Sequence, residues 1–210
     1  FLNNLEYPIY YIDCETINPA IPKFDGMKPY QRIPFQFSLH VQRERGGEVK
    51  HVSFLADGTD DPRPKFMQVL RDNLDERGSI LVYNQGFEKG VMNECTTAFP
   101  EFRSWYDESI LPRIKDLWDV FRNFDYYDPR QKGSASIKYV LPCMSDLSYK
   151  DLEFVKKGDQ ASFEWERVTF GDVEEGERNK IRLALEKYCE LDTLAEVEIL
   201  GKLNGLVEEK

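Results

Sequence analysis

Tyr7 to Ile12, read YPIYYI, is β-branched and aromatic apart from Pro8, and it is apolar on both faces. A strand with one face in water alternates apolar and polar residues. This one does not, so it needs cover on both sides and belongs at the centre of a sheet. The requirement points to an α/β domain with helices flanking the sheet. At 210 residues with 41% hydrophobic content, the chain can bury such a core as one domain spanning residues 1–210. Asp13 and Glu15 end the strand. Residues two apart on a strand point the same way, so both carboxylates leave one face of the sheet. Close like charges push one of the pair toward protonation, and a divalent cation between them removes the conflict. A solvated strand end is the plainer account of the same D-x-E.

A second acid interrupts an otherwise apolar stripe. Glu174 to Leu200 has no proline, and its single glycine, Gly176, lies near its start. Ile181, Leu185, Tyr188, Asp192, Ala195 and Ile199 recur at helical spacing and share one face of a helix. Every member of that stripe is apolar or aromatic except Asp192. A carboxylate facing a core is costly unless it is paired, hydrogen-bonded or bound to a cation. A third acid, Glu88, follows the short strand Ser79 to Tyr83 in the stretch YNQGFEKGVM. Asn84 reads as the N-cap of the next helix. Glu88 falls in its first turn, where the helix dipole also favours an acid.

The remaining pattern completes an α/β reading. Ile33 to Val41 and Val49 to Ala56 are strand-like and joined by RERGGE, a hairpin signal. With the first strand they would make the antiparallel part of a mixed sheet. Helices are expected over Pro64 to Glu76, Phe87 to Phe99 and Glu101 to Ile110. The proline-rich Thr16 to Arg32 is too long for a hairpin turn and is expected to form a lid over the site. Asp146 to Asp172 is less periodic, and Phe163 to Val168 reads as either strand or helix.

A D-x-E strand end, an N-x-x-F-E helix start and a late Y-x-x-x-D helix, in that order, resemble the DEDD superfamily of 3′–5′ exonucleases, in its tyrosine form. The histidine form does not fit, because Lys187 stands five before Asp192. GSASIKYVLP, Gly133 to Pro142, is similar to a segment that ribonuclease D relatives carry between the second and third motifs. KDLWDVF, Lys115 to Phe121, resembles a helix start found there, whose acid is usually structural. More narrowly, Asp13 to His40, VYNQGFEKG and YCELDTLA look like a bacterial family of uncharacterised domains placed among ribonuclease-H-like folds. The resemblance spans Tyr7 to Leu200 and implies a ribonuclease-H-like mixed sheet, antiparallel in its first strands and then parallel, flanked by helices.

What the resemblance implies about function is specific. Two divalent cations, Mg²⁺ or Mn²⁺, ~4 Å apart would activate a water and stabilise the leaving 3′-oxygen. Such hard ions take oxygen ligands. Asp13 would bridge both ions, Glu15 and Asp192 would hold the water-activating ion, and Glu88 would hold the second, directly or through water. Tyr188 lies one helical turn before Asp192 and, as a poor base at its ordinary pKa, would orient the water. Asn84, Phe87 and Lys138 are the candidates for substrate contact. The substrate would be a single-stranded or frayed nucleic acid, cut from its 3′ end. Glu88 departs from the family pattern, where an Asp is usual; its extra methylene moves the carboxylate by ~1.5 Å. That departure supports an alternative, a catalytically inactive nucleic-acid-binding or protein-interaction module on the same fold. A glycosidase, needing two carboxylates and no metal, explains neither the other acids nor their order.

Composition narrows the partners. A net charge of −10 argues against a tight duplex binder, which would show a basic footprint. Basic and aromatic residues nevertheless interleave from Lys23 to Phe37 and from Arg122 to Tyr139, mixtures that can stack bases and hold phosphates. Cys14, Cys95, Cys143 and Cys189 form no C-x-x-C pair, which suits a reducing cytoplasm and argues against a zinc site built on them. His40 and His51 fall in expected strands and read as structural. No apolar run approaches a membrane span, and no secretory signal is recognisable. The chain opens on Phe1 rather than Met and is expected to be one domain of a longer protein.

Overall fold

The structure, a computed structural model, describes residues 1–208. A five-stranded mixed sheet has the order β3-β2-β1-β4-β5. Strands β1 (Ile9–Ile17), β2 (Ile33–Gln42) and β3 (Val49–Leu55) form an antiparallel meander. Strands β4 (Ser79–Val82) and β5 (Ile114–Asp116) continue parallel to β1. As its composition requires, β1 is central, and Ile9, Tyr10 and Tyr11 are fully buried. Tyr10, Ile12 and Cys14 join one core with Phe66, Met67 and Leu70 of helix α1 (Arg63–Asp72) and Val91 and Met92 of α2 (Gln85–Ala98). Ile9 and Tyr11 point the other way, into a second core. There they meet Val120 and Phe121 of α4 (Trp118–Arg122), Val140 and Leu141 of α5 (Ile137–Met144), and Ala195, Ile199 and Leu200 of α7 (Glu175–Glu208). Full burial of one such Leu or Phe is worth about 1.5–3 kcal/mol.

Several expected elements shift. β1 does not end at Glu15 but runs on to Ile17, because β2 keeps pairing with it through Ile17↔Ile33, past an irregularity between Glu15 and Thr16. Its other neighbour stops early: β4 pairs with β1 only from Ile9 to Tyr11. Asp13 and Glu15 therefore stand inside a strand, where β1 outruns β4. Glu101 to Ile110 is not one helix. Pro100 opens a 3₁₀ turn, a short α3 (Arg103–Trp105) follows, and a π-helical turn covers Tyr106–Ile110. Phe163 to Val168 lies within α6 (Gly158–Phe170) and is helical. Gly78 enters β4 with φ +94°, where a Cβ would lie 2.1 Å from the Pro8 carbonyl. Only glycine fits that approach.

Residues 16–32 carry no regular structure after β1, as a loop of that composition should. The loop is moored at both flanks: Lys23 pairs with Glu166 of α6 at 2.7 Å, and Arg32 pairs with Glu94 of α2 at 2.6 Å. Those ties commit two of its cations, and Phe35 just beyond it is fully buried. The interleaved stretch from Lys23 to Phe37 is thus partly spent on internal contacts, while Lys28 and Tyr30 stay exposed. In the other stretch, Phe124, Tyr127 and Tyr139 are exposed. Among the described residues, no helix is long and apolar enough to cross a membrane.

Candidate functional site

Asp13, Glu15 and Asp192 converge, with one carboxylate oxygen from each within 4.8 Å of the others. Asp13 and Glu15 share the face of β1 that turns toward α7, and α7 lays its Tyr188–Asp192 turn across that face. The Cys189 thiol, between them, approaches both the carbonyl and a carboxylate oxygen of Asp13 at 3.7 Å. Asp192 and Glu15 are buried, whereas Asp13 is only half-buried. The cluster is thus sunk in the fold but reachable through Asp13. Gly158, the first residue of α6, borders it: a Cβ there would stand 3.3 Å from a Glu15 oxygen.

Burial dominates the electrostatics, with like charge added to it. Desolvation, then the charges of Asp192, Glu15 and Glu88, push the Asp13 carboxyl well above the usual range. Burial and Asp192 raise Glu15 to about 8, against the opposing pull of Lys138. Asp192 is raised by burial to about 6, held down by a hydrogen bond from Tyr149, by the Lys138 ammonium and by the Tyr188 hydroxyl. Burial and mutual repulsion of like charges both push carboxyl pKa values up in this way.

Glu88 sits in the first turn of α2 and is buried, but it lies outside the tight three-acid group. Burial raises it to about 8, although a backbone hydrogen bond opposes the shift. Its Oε2 has no hydrogen-bond partner. Asn84 does not cap α2 as expected. Its backbone is left-handed, with φ 82°, and its side chain makes no capping bond. The cap comes from Asp116, whose carboxylate accepts from the Asn84 and Gln85 N–H groups at 2.9 and 3.0 Å. The same carboxylate accepts from the Trp118 N–H at 3.1 Å, so this acid is structural, and it holds the starts of both α2 and α4. Phe87 packs half-buried on the core, its ring 5.7 Å from the Arg32 guanidinium carbon.

Tyr188 and Lys138 do join the cluster. Lys138 Nζ donates to the Tyr188 hydroxyl at 3.3 Å and lies 5.2 Å from the rings of both Tyr188 and Tyr149. Burial and the neighbouring acids raise the Tyr188 phenol above its ordinary value, so it keeps its proton.

Two residues escape the motif reading. Tyr149 donates to Asp192 Oδ1 at 2.6 Å from a turn with no helical periodicity. Glu196 lies one turn beyond Asp192 on α7, fully buried, with an unpartnered Oε2. Burial, then the charges of Asp13, Glu88, Asp192 and Asp116, raise it well above the carboxylate range. The spacing of four from Asp192 was its available signal.

The Tyr149 bond makes a testable statement. Tyr149→Phe removes a hydrogen bond that favours the ionised form of Asp192, worth roughly 1.5–3 kcal/mol to a charged acceptor. The Asp192 pKa is expected to rise from about 6 by ~1–2 units. Carboxyl carbon NMR titration of the metal-free protein reads this directly; an unmoved Asp192 would mean the bond carries no weight.

Fold and site together define an α/β domain whose central strand and last helix bring acids into one buried, cation-poor pocket. The chain belongs to the family described as a domain of unknown function, DUF2779, whose model matches residues 10–136. The match takes in Asp13, Glu15 and Glu88 and stops short of Lys138, Asp192 and Glu196. The chain is also 25% identical over 227 aligned residues to an uncharacterized protein, MG366, of Mycoplasma genitalium. That alignment covers 99% of this chain and 33% of the relative, so the chain spans about a third of the length of the curated protein it matches. No solved structure matches.

Proposed function

We propose that this domain is a metal-dependent 3′–5′ exonuclease with a ribonuclease-H-like fold, acting on a single-stranded or frayed nucleic-acid end. The observation that carries this reading is the Asp13–Glu15–Asp192 group, three carboxylates within 4.8 Å drawn from a central strand and a late helix. The sheet supports it, being antiparallel through β1, β2 and β3 and then parallel through β4 and β5. A carboxylate set of this kind suits Mg²⁺ or Mn²⁺. The orphaned oxygens of Glu88 and Glu196 fit the same ions, since a buried acceptor without a partner needs one. Asp13, Glu15 and Asp192 would hold the metal, with Glu88 and Glu196 completing the oxygen set. Bound there, divalent ions supply an activated water and neutralise charge on the leaving oxygen.

The chain's own residues supply the rest. Tyr188 stays protonated, so its hydroxyl orients the attacking water rather than removing its proton. Tyr149 fixes the rotamer of Asp192. Lys138, beside both tyrosines, is placed to steady a phosphate oxygen. Burial beneath α7 keeps bulk water from competing for the acids.

End-labelled single-stranded RNA and DNA, incubated with the protein and either Mn²⁺ or a chelator, test the reading. Stepwise shortening from the 3′ end, with metal only, is expected for at least one polymer. No cleavage of either polymer at saturating Mn²⁺ would overturn it. A gel shift without cleavage would then favour the inactive binding module, in which case the Glu88 departure marks lost catalysis.

A further inference from the structure

Beside the acid pocket, β2, β3 and α7 enclose a second cluster of different chemistry. One ligand atom each from His40, His51 and Glu190 lies within 4.8 Å of the other two. The imidazoles stack with centroids 4.5 Å apart and planes at 26°, and His51 Nδ1 lies 3.7 Å from Glu190 Oε1. We infer that His40, His51 and Glu190 form a binding site for a borderline divalent transition ion of the Zn²⁺ class, separate from the carboxylate centre.

The hydrogen bonds behind the rings decide which nitrogens are free. His40 Nδ1 meets Thr193 Oγ1 at 2.8 Å, Ser38 Oγ meets Thr193 Oγ1 at 2.6 Å, and His51 Nε2 meets Ser38 Oγ at 2.9 Å. Thr193 Oγ1 also donates to the Glu190 carbonyl at 3.1 Å, and a carbonyl can only accept. The threonine proton is therefore committed, so Ser38 must donate to Thr193. Ser38 then has no proton left for His51, and His51 Nε2 must be the donor. Thr193 likewise can only accept from His40 Nδ1. One proton arrangement satisfies all four contacts, and it leaves His40 Nε2 and His51 Nδ1 as bare lone pairs. Ligand histidines are typically fixed in this way, the second nitrogen donating to a protein acceptor.

Geometry and access agree. Bonds of ~2.0–2.1 Å at a tetrahedral centre place ligand atoms ~3.3 Å apart, so the 3.7 Å gap between His51 and Glu190 needs only a small closure. The side chains of His51 and Glu190 are 27% and 45% exposed, leaving an entry path. Imidazole nitrogen selects Zn²⁺, Co²⁺ or Ni²⁺, whereas the all-carboxylate pocket suits Mg²⁺ or Mn²⁺. An ion here would fasten α7 to two strands two residues from Asp192.

Titration of the metal-stripped protein with Zn²⁺ in excess Mg²⁺ tests the inference, because Mg²⁺ competes for carboxylate oxygens and not for imidazole nitrogens. One Zn²⁺ per chain is expected, and Co²⁺ in its place should give the visible absorption of a nitrogen-ligated centre. His51→Ala and Glu190→Gln, each checked for an unchanged fold by melting without metal, should each weaken Zn²⁺ at least tenfold. Thr193→Val should weaken it roughly tenfold by freeing the His40 ring. No Zn²⁺ uptake by the parent, or an isotherm unchanged in both His51→Ala and Glu190→Gln, would overturn the site.

Discussion

The metal-free protein is expected to lose stability as pH rises from about 4.5 to about 8, the interval over which Glu15 and Glu88 separate from their unfolded counterparts. Both carboxyls have folded-state pKa values raised above the unfolded ones. The folded state therefore holds more protons than the unfolded state in this window, and unfolding free energy falls with pH. The stability is fully present below the unfolded pKa and is lost as pH passes through the folded one. Asp192, raised to about 6, adds to the lower half of the window. Each unit of upward shift is worth ~1.4 kcal/mol. The combined swing should be on the order of 5 kcal/mol or more, or ~10–20 °C in Tm for a chain of this size. Mn²⁺ or Mg²⁺ should offset a large part of it, because a ligand bound only by the folded state adds about 2.7 kcal/mol at a hundred times its Kd. Thermal melts across this pH range, with and without Mn²⁺, give the answer. Flat melts without metal would show that the acids are satisfied internally, and a slope that metal leaves untouched would show that the cluster takes no cation.

Asp13→Asn is expected to separate stability from activity in opposite directions. Asn matches Asp in shape but carries no charge. The metal-free variant should melt higher than the parent at alkaline pH, since the Asp13 charge is the largest coulombic cause of the raised Glu196 pKa. The proposed nuclease activity should fall by ~10³-fold or more, a loss of ~4 kcal/mol or more in transition-state stabilisation. Tyr188→Phe provides the contrast. It leaves every carboxylate in place, so Mn²⁺ affinity should hold while turnover slows by ~10–100-fold, about 1.4–2.7 kcal/mol. Calorimetry for Mn²⁺ beside single-turnover cleavage distinguishes the two. Equal activity of Asp13→Asn and parent would place the reaction elsewhere.

Much of this was legible in the chain because the informative residues violate a local pattern. Asp192 is visible since it replaces an apolar residue on a helical stripe, and the YPIYYI run is visible since it does not alternate. Glu196 is hidden because the apolar stripe runs from Asp192 to Ala195 and Ile199, a step of three then four, while the step of four from Asp192 lands on Glu196. Asp116 read as an ordinary structural acid, and it is structural. Its work is done across strands, however, on the N–H groups of Asn84 and Gln85, so Asn84 looked like its own cap. Tyr149 has no local signature, since its bond to Asp192 joins residues 43 apart. The end of β1 was placed too early because a polar residue usually ends a buried strand, whereas here β2 supplies pairing partners as far as Ile17. Phe35 looked like a stacking surface beside cations, and only packing against Trp165, with centroids 4.6 Å apart, makes it core.

The acids of the pocket come from opposite ends of the described chain, the Cys189 thiol meeting Asp13 across 176 residues. During synthesis the strands that carry Asp13 and Glu15 emerge and pair long before α7 leaves the ribosome. Until then these two acids face solvent and have no third partner. The last helix to dock thus assembles the pocket in one event and creates its charge repulsion in that same event. Docking closes the longest loop in the fold and brings carboxylates together. Dissolved divalent ions should therefore speed the final folding step as well as strengthen its product, and a nascent chain carries no assembled pocket until that helix is in place.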